Sequence, residues 1–191
     1  MKEVEIKAKI KDFNSVISKL KEIGCDKISE PIIQRDIIFL GDGLEFLDIK
    51  SGTNVLRIRA ENGKNILTLK QPQENELDCI EREVIIDNPR EMEGILKCLG
   101  YHEVVRINKR RRRCDFKKYK ICLDEVDMLG KFIEIEKMSR EKDSIKVQDE
   151  LFQLLLDLGI QKEERITKGY DTLIYRKINQ SNCRESLMSL L

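Results

Sequence analysis

Apolar positions recur every three or four residues in three stretches of this chain and alternate with charged positions in eight others. Phe13, Val16, Ile17, Leu20 and Ile23 form one stripe and predict an amphipathic helix between Asp12 and Gly24. Met92, Ile95, Leu96 and Leu99 repeat the pattern behind Asn88-Pro89, a capping residue followed by the proline tolerated at a first helical position, and stop at Gly100. Leu151, Leu154, Leu155 and Leu158 make the third, opening near Asp143-Ser144 and ending at Gly159. A fourth helix is expected over roughly residues 169–177.

The alternating segments read as strands at roughly 3–9, 35–40, 55–60, 65–70, 79–86, 104–113, 119–126 and 131–137. Asn62-Gly63 between the third and fourth is a hairpin signal, and Leu129-Gly130 separates the last two. Many sequential strands with few helices argue for an antiparallel α+β protein rather than a doubly wound parallel sheet. One domain is therefore expected over residues 1–177. Residues 178–191 are left as a polar tail with an apolar end, either a short docking helix or disordered.

Strand parity puts the charges on one face. Glu3, Glu5 and Lys7 lie opposite Val4, Ile6 and Ala8; Arg57 and Arg59 lie opposite Leu56 and Ile58; Lys70 lies opposite Leu67 and Leu69. Glu81 and Glu83 share a face, as do Lys109, Arg111 and Arg113; Asp124 falls with Cys122; Glu134 and Glu136 oppose Ile133 and Ile135. A half-buried sheet with a solvated face is the ordinary explanation of such alternation. Here, however, the polar positions are nearly all ionised, and their signs segregate by strand. A sheet covered by helices on its apolar face could curl to enclose the charged one. Seven bases would then meet seven acids, a nearly neutral lumen. Its cations would suit phosphate oxygens, and its carboxylates would suit Mg²⁺ or Mn²⁺.

Composition narrows the alternatives. Charged residues are 37% of the chain, with 36 basic against 35 acidic, so a dedicated nucleic-acid binder is not indicated. Six cysteines show no zinc-ligand spacing and are expected to be reduced thiols in a cytoplasmic protein. No apolar run approaches the ~18 residues of a membrane span. The single histidine, His102, is expected to be an exposed turn residue rather than a general base.

Glu3-Val4-Glu5-Ile6-Lys7 resembles the E-x-E-x-K signature of the CYTH family, the triphosphate-tunnel metalloenzymes. Gln34-Arg35-Asp36-Ile37-Ile38-Phe39, Leu56-Arg57-Ile58-Arg59, Leu67-Thr68-Leu69-Lys70 and Lys109-Arg110-Arg111 follow in that family's order. Leu123-Asp124 and Leu129 through Glu136 are similar to its class IV adenylyl cyclase branch. The resemblance spans residues 1–176 and implies an eight-stranded antiparallel barrel with helices outside. It implies metal ligation by Glu3, Glu5, Glu134 and Glu136, with two ions expected. It also implies that Lys7, Arg57, Lys70, Lys109 and Arg111 hold the triphosphate, and that Asp124 works near the reacting group with Lys7 and Lys109. Arg59, Arg113, Glu81 and Glu83 are added by strand parity alone. Two departures stand out: Ile38 where relatives have tyrosine, and Gly169-Tyr170 in place of Ser-Tyr, which leaves a C-terminal contribution to the site open.

Two activities fit this reading equally well in residues. One is cyclisation of ATP to cyclic AMP and pyrophosphate, which branch similarity favours. The other is hydrolysis of inorganic, thiamine or nucleoside triphosphate. A non-catalytic module binding polyphosphate or RNA through residues 109–113 is disfavoured, because Arg110 and Arg112 should point away from their neighbours and aromatic residues are only 5%. A homodimer is compatible with this reading.

Overall fold

The computed structural model describes residues 2–140 and 143–188, with side chains through residue 181. Its strands are β1 (Lys2–Ile10), β2 (Ile32–Gly41), β3 (Val55–Glu61), β4 (Lys64–Pro72), β5 (Asp78–Ile86), β6 (Tyr101–Phe116), β7 (Tyr119–Val126), β8 (Gly130–Ser139) and the two-residue β9 (Arg165–Ile166). Its helices are α1 (Phe13–Glu22), α2 (Pro89–Cys98), α3 (Ser144–Asp157) and α4 (Tyr170–Met188). The strands run in the order β5-β4-β3-β2-β6-β7-β8-β1-β9, and β5 returns to pair with β1. The eight long strands thus close an antiparallel barrel, and β9 lies beside β1 at Lys7 and Ala8.

Local chemistry explains the elements. Asp12 accepts hydrogen bonds from the Asn14 and Ser15 amides, Asn88 from Glu91, and Asp143 from Lys146, so three helices begin on side-chain caps. The β3–β4 turn places Asn62 at φ 49° and Gly63 at φ 73°. Both values are the left-handed conformation that a two-residue hairpin demands.

Three apolar clusters surround the charged lumen. Outward residues of β1, β6, β7 and β8, among them Ile6, Leu123 and Ile133, pack against Leu20 of α1 and Leu151 and Leu155 of α3. Leu96 of α2 covers Phe39 and Ile58 on another flank. The third cluster belongs to the barrel's inner face at one end. There the lumen-facing residues change from charged to apolar, as Ile38, Val55, Ile107, Val126 and Phe132, and meet Phe46, Tyr170 and Ile174. Tyr170 and Ile174 belong to α4, which stoppers this end together with a 3-10 turn at Phe46–Asp48.

Two expectations need correction. The last helix does not stop near residue 177 but continues to Met188, through most of the expected tail; residues 189–191 lie outside the described residues. The cysteines are not all reduced, because Cys25 and Cys114 are joined as a disulfide across 89 residues. Among the described residues, no helix is long and apolar enough to cross a membrane.

Candidate functional site

Antiparallel pairing of β1 with β8 sets Glu5 opposite Glu136 and Lys7 opposite Glu134. Inward parity then gathers the Glu3, Glu5 and Glu136 carboxylates, with oxygens within 4.8 Å of one another. Such crowding is costly for like charges. Burial, then Glu136 and Glu81, raises the Glu3 pKa to about 7. Burial, then Glu134, raises Glu5 to about 8, against the pull of Lys7 and Lys70. An all-oxygen donor set that resists its own ionisation fits a hard divalent cation. Glu134 stands apart from this trio, paired with Lys7 Nζ at 3.0 Å and with Arg111.

Cations of the same and neighbouring strands close in around the trio. Arg57 reaches Thr68 Oγ1 and Glu83 at 3.2 Å and Glu81 at 3.7 Å. Its Nε, although buried, has no hydrogen-bond partner among the described residues. Lys70 pairs with Glu81 at 2.8 Å, and that contact with Arg57 nearby outweighs burial to hold Glu81 down at about 2. Burial also opposes the Lys7 charge, yet Glu134 and Glu5 more than offset it and raise its pKa. Lys109 is the exception. Burial and the adjacent Arg111 lower it to about 8, and its sole ion-pair partner among the described residues, Asp124, is 3.9 Å away.

Thirteen of the fourteen residues singled out by parity and resemblance line this one cavity of about 350 Å³. The exception is Asp124, an inward residue of β7 that is fully buried beneath Arg111 and Tyr170. Arg111 binds both its oxygens, through Nε at 2.7 Å and a terminal nitrogen at 2.6 Å. Arg59 and Arg113 line the cavity already committed, Arg59 to Asp36 at 2.7 Å twice and Arg113 to Glu61 at 2.8 and 3.0 Å. Arg110 points outward to Glu125 and is mostly exposed. His102 is likewise exposed, beside Asp42 on β6 rather than in a turn.

Sequence reasoning missed Asp36, Lys120, Glu76 and Tyr170. The first two sit at inward positions of β2 and β7, so parity applied to those strands would have found them. Tyr170 opens α4 and answers the question left by Gly169-Tyr170. Its hydroxyl donates to Asp124 Oδ2 at 3.0 Å, and its ring centre lies 4.0 Å from Lys7 Nζ and 5.0 Å from Lys109 Nζ.

Known proteins share this architecture. A Methanocaldococcus jannaschii protein named "Putative adenylate cyclase MJ0240" is 36% identical over 173 residues, covering 89% of this chain and 97% of its own. The PH1819 protein of Pyrococcus horikoshii OT3 superposes with a TM-score of 0.76 at 30% identity, covering 92% of this chain and 99% of its own. HpAC1 of Hippeastrum, described as a "putative adenylyl cyclase" with a dominant triphosphatase activity, shares the fold at a TM-score of 0.59 and 19% identity, over 92% of this chain and 95% of its own. The CYTH domain model matches residues 1–170, from the signature glutamates to the tyrosine at the head of α4. This chain belongs to the CYTH family, whose members are adenylyl cyclase-like enzymes or triphosphatases.

Proposed function

We propose that the protein is a divalent-metal-dependent enzyme that binds a triphosphate inside the barrel and converts ATP to cyclic AMP and pyrophosphate. The observation that carries this reading is one cavity that holds the Glu3, Glu5 and Glu136 trio together with Lys109, whose carboxylate partner stays 3.9 Å away, and a buried Arg57 Nε with no hydrogen-bond partner among the described residues. Glu3, Glu5 and Glu136 would hold Mg²⁺ or Mn²⁺, and Glu134 would join them at a second ion only by giving up its pairing with Lys7 and Arg111. When bound, such ions polarise phosphoryl oxygens and neutralise charge that develops on them.

The chain's own residues do the positioning. Lys7, Arg57, Lys70, Lys109 and Arg111 grip phosphate oxygens by charge-assisted hydrogen bonds. Arg59 and Arg113, already paired, set the field around them, and Asp124 orients Arg111. The ribose 3′-hydroxyl oxygen bonds to the α-phosphorus as the bond to the bridging oxygen breaks; its proton passes to solvent, and pyrophosphate departs into the grip of the cations. Ile38, Phe46, Leu47, Ile49 and Val55 continue the same cavity as an apolar wall, room for a nucleoside rather than for inorganic triphosphate alone. The relative at 36% identity carries a cyclase name. The Hippeastrum protein's dominant activity supports triphosphate hydrolysis as the second reading.

Incubating pure protein with Mg²⁺ or Mn²⁺ and ATP, tripolyphosphate or thiamine triphosphate, then resolving the products, separates the two. Cyclic AMP with pyrophosphate is expected; orthophosphate without a cyclic product favours the hydrolase. Activity without metal, or full activity in Glu5→Gln and Glu136→Gln, would sink both.

A further inference from the structure

Asp124 has three donors on two oxygens. Arg111 binds both, and the Tyr170 hydroxyl adds a third bond at Oδ2. That same oxygen is the one Lys109 Nζ faces from 3.9 Å, too far for a hydrogen bond. The hydroxyl therefore occupies the position through which Lys109 would close on its only carboxylate partner among the described residues. The ring beneath offers both lysines a weak cation–π contact instead. A cation kept off its carboxylate is one that a phosphate oxygen can take.

Tyr170 is itself held by a carboxylate from another segment of the cavity lining. Glu76, in the β4–β5 turn, accepts from the Gly169 amide at 3.0 Å and Thr172 Oγ1 at 2.9 Å through one oxygen, and from Lys168 Nζ at 2.8 Å through the other. It thereby caps the first turn of α4 from another part of the chain. The Lys168 carbonyl in turn lies 3.3 Å from Lys7 Nζ.

We propose that Tyr170 is a positioning residue that holds Asp124 off Lys109 and so keeps that ammonium free for substrate phosphate, with Glu76 as the latch that keeps Tyr170 in place. The proposal rests on the triphosphate reading above. Loss of the hydroxyl leaves the ring and its packing on Phe132, 5.1 Å between centroids, intact. It removes one of the two donors on Oδ2, leaving Arg111 there and opening that oxygen to Lys109, a pairing the substrate must then break.

The test is calorimetric titration of tripolyphosphate, with Mg²⁺, into the full chain. Tyr170→Phe should weaken binding about tenfold while the circular dichroism spectrum stays native. In a Lys109→Gln background the same change should alter affinity less than about twofold, because its effect runs through Lys109. Glu76→Ala should weaken binding in the same direction, again only while Lys109 is present. Where Tyr170→Phe fails to fold, the Glu76→Ala pair decides by the same comparison. Equal losses in both backgrounds mean a merely structural role and overturn the proposal, as does wild-type affinity in Tyr170→Phe. A wild-type protein that binds no triphosphate overturns the tunnel reading and this proposal together. Normal wild-type binding with no Lys109-dependent loss overturns this proposal alone.

Discussion

Asp36→Asn should separate what the buried charges do for folding from what they do for binding. Asp36 is 3% exposed and meets Arg59, 8% exposed, in a two-pronged pair with both contacts at 2.7 Å. Asparagine fills the same volume, so no cavity opens, and the loss is that of the countercharge. Breaking a buried pair from one side typically costs about 3–5 kcal/mol. For a domain of this size each kcal/mol moves the melting temperature by roughly 2–4 °C, so a fall of about 10 °C is expected by scanning fluorimetry or calorimetry. If the cost is the stranded guanidinium, Asp36→Asn with Arg59→Met should recover most of it, since an apolar pair of similar volume is often no worse than an ion pair. Tripolyphosphate should raise the melting temperature of Asp36→Asn more than that of wild type, because it gives Arg59 a new anion. The pH dependence has a definite sign. Burial pushes the Asp36 carboxyl up, but the Arg59 hydrogen bonds and charge reverse this and hold it well below the usual range. A carboxyl depressed in the folded state stabilises above its unfolded pKa, and that stability is lost as pH falls toward the folded value. Wild type should therefore lose this increment below about pH 4, and Asp36→Asn should not. A variant within about 1 kcal/mol of wild type, or a double variant no better than the single one, would refute the argument.

Metal binding should release protons. With Glu3 at about 7 and Glu5 at about 8 in the metal-free protein, Mg²⁺ should displace about one proton or more at pH 7, and its affinity should rise roughly five hundredfold from pH 6 to pH 8. Calorimetry in buffers of different ionisation enthalpy counts those protons, and a pH-independent affinity would contradict the trio as ligands. The Cys25–Cys114 bridge closes a separation of 89 residues, so reductant or Cys114→Ser should lower stability by about 2–4 kcal/mol. Thiol titration of the unreduced, denatured chain should find two fewer free thiols than after reduction; an unchanged count and melting temperature would return the pair to the reduced state.

The strands were most readable where each face has one job. On β1, Val4, Ile6 and Ala8 pack under α3 while Glu3, Glu5 and Lys7 face the lumen, so period two survives intact in the sequence. On β2 it does not. Phe39 belongs to the cluster under α2, while Ile38 and Leu40 belong to the apolar plug at the end of the barrel, so both faces are apolar and Asp36 is hidden at the start of an unbroken hydrophobic run. Tyr170 escaped for a different reason: it enters the site end-on from a helix, and no periodicity along α4 predicts what its first turn meets across the barrel. The disulfide was equally invisible, because spacing alone cannot say that a loop after α1 comes to lie on β6.

The near balance of acids and bases read from the strands acquires a sharper meaning in three dimensions. It is not a uniform neutrality but an uneven one. Asp36 with Arg59, a buried pair, and Glu61 with Arg113, a half-buried one, are closed pairs that need no ligand. Glu3 and Glu5 are acids in excess at one wall, and Lys109 is a base in deficit of a partner at another. Either imbalance alone would favour relaxation by protonation change. Together they favour a ligand that brings cations to the first and anions to the second, so the proposed function predicts that metal and triphosphate should each tighten the other's binding, by linkage to the same degree. On the proposed function, the closed pairs would hold the barrel wall while the open ones would bind metal and polyphosphate together.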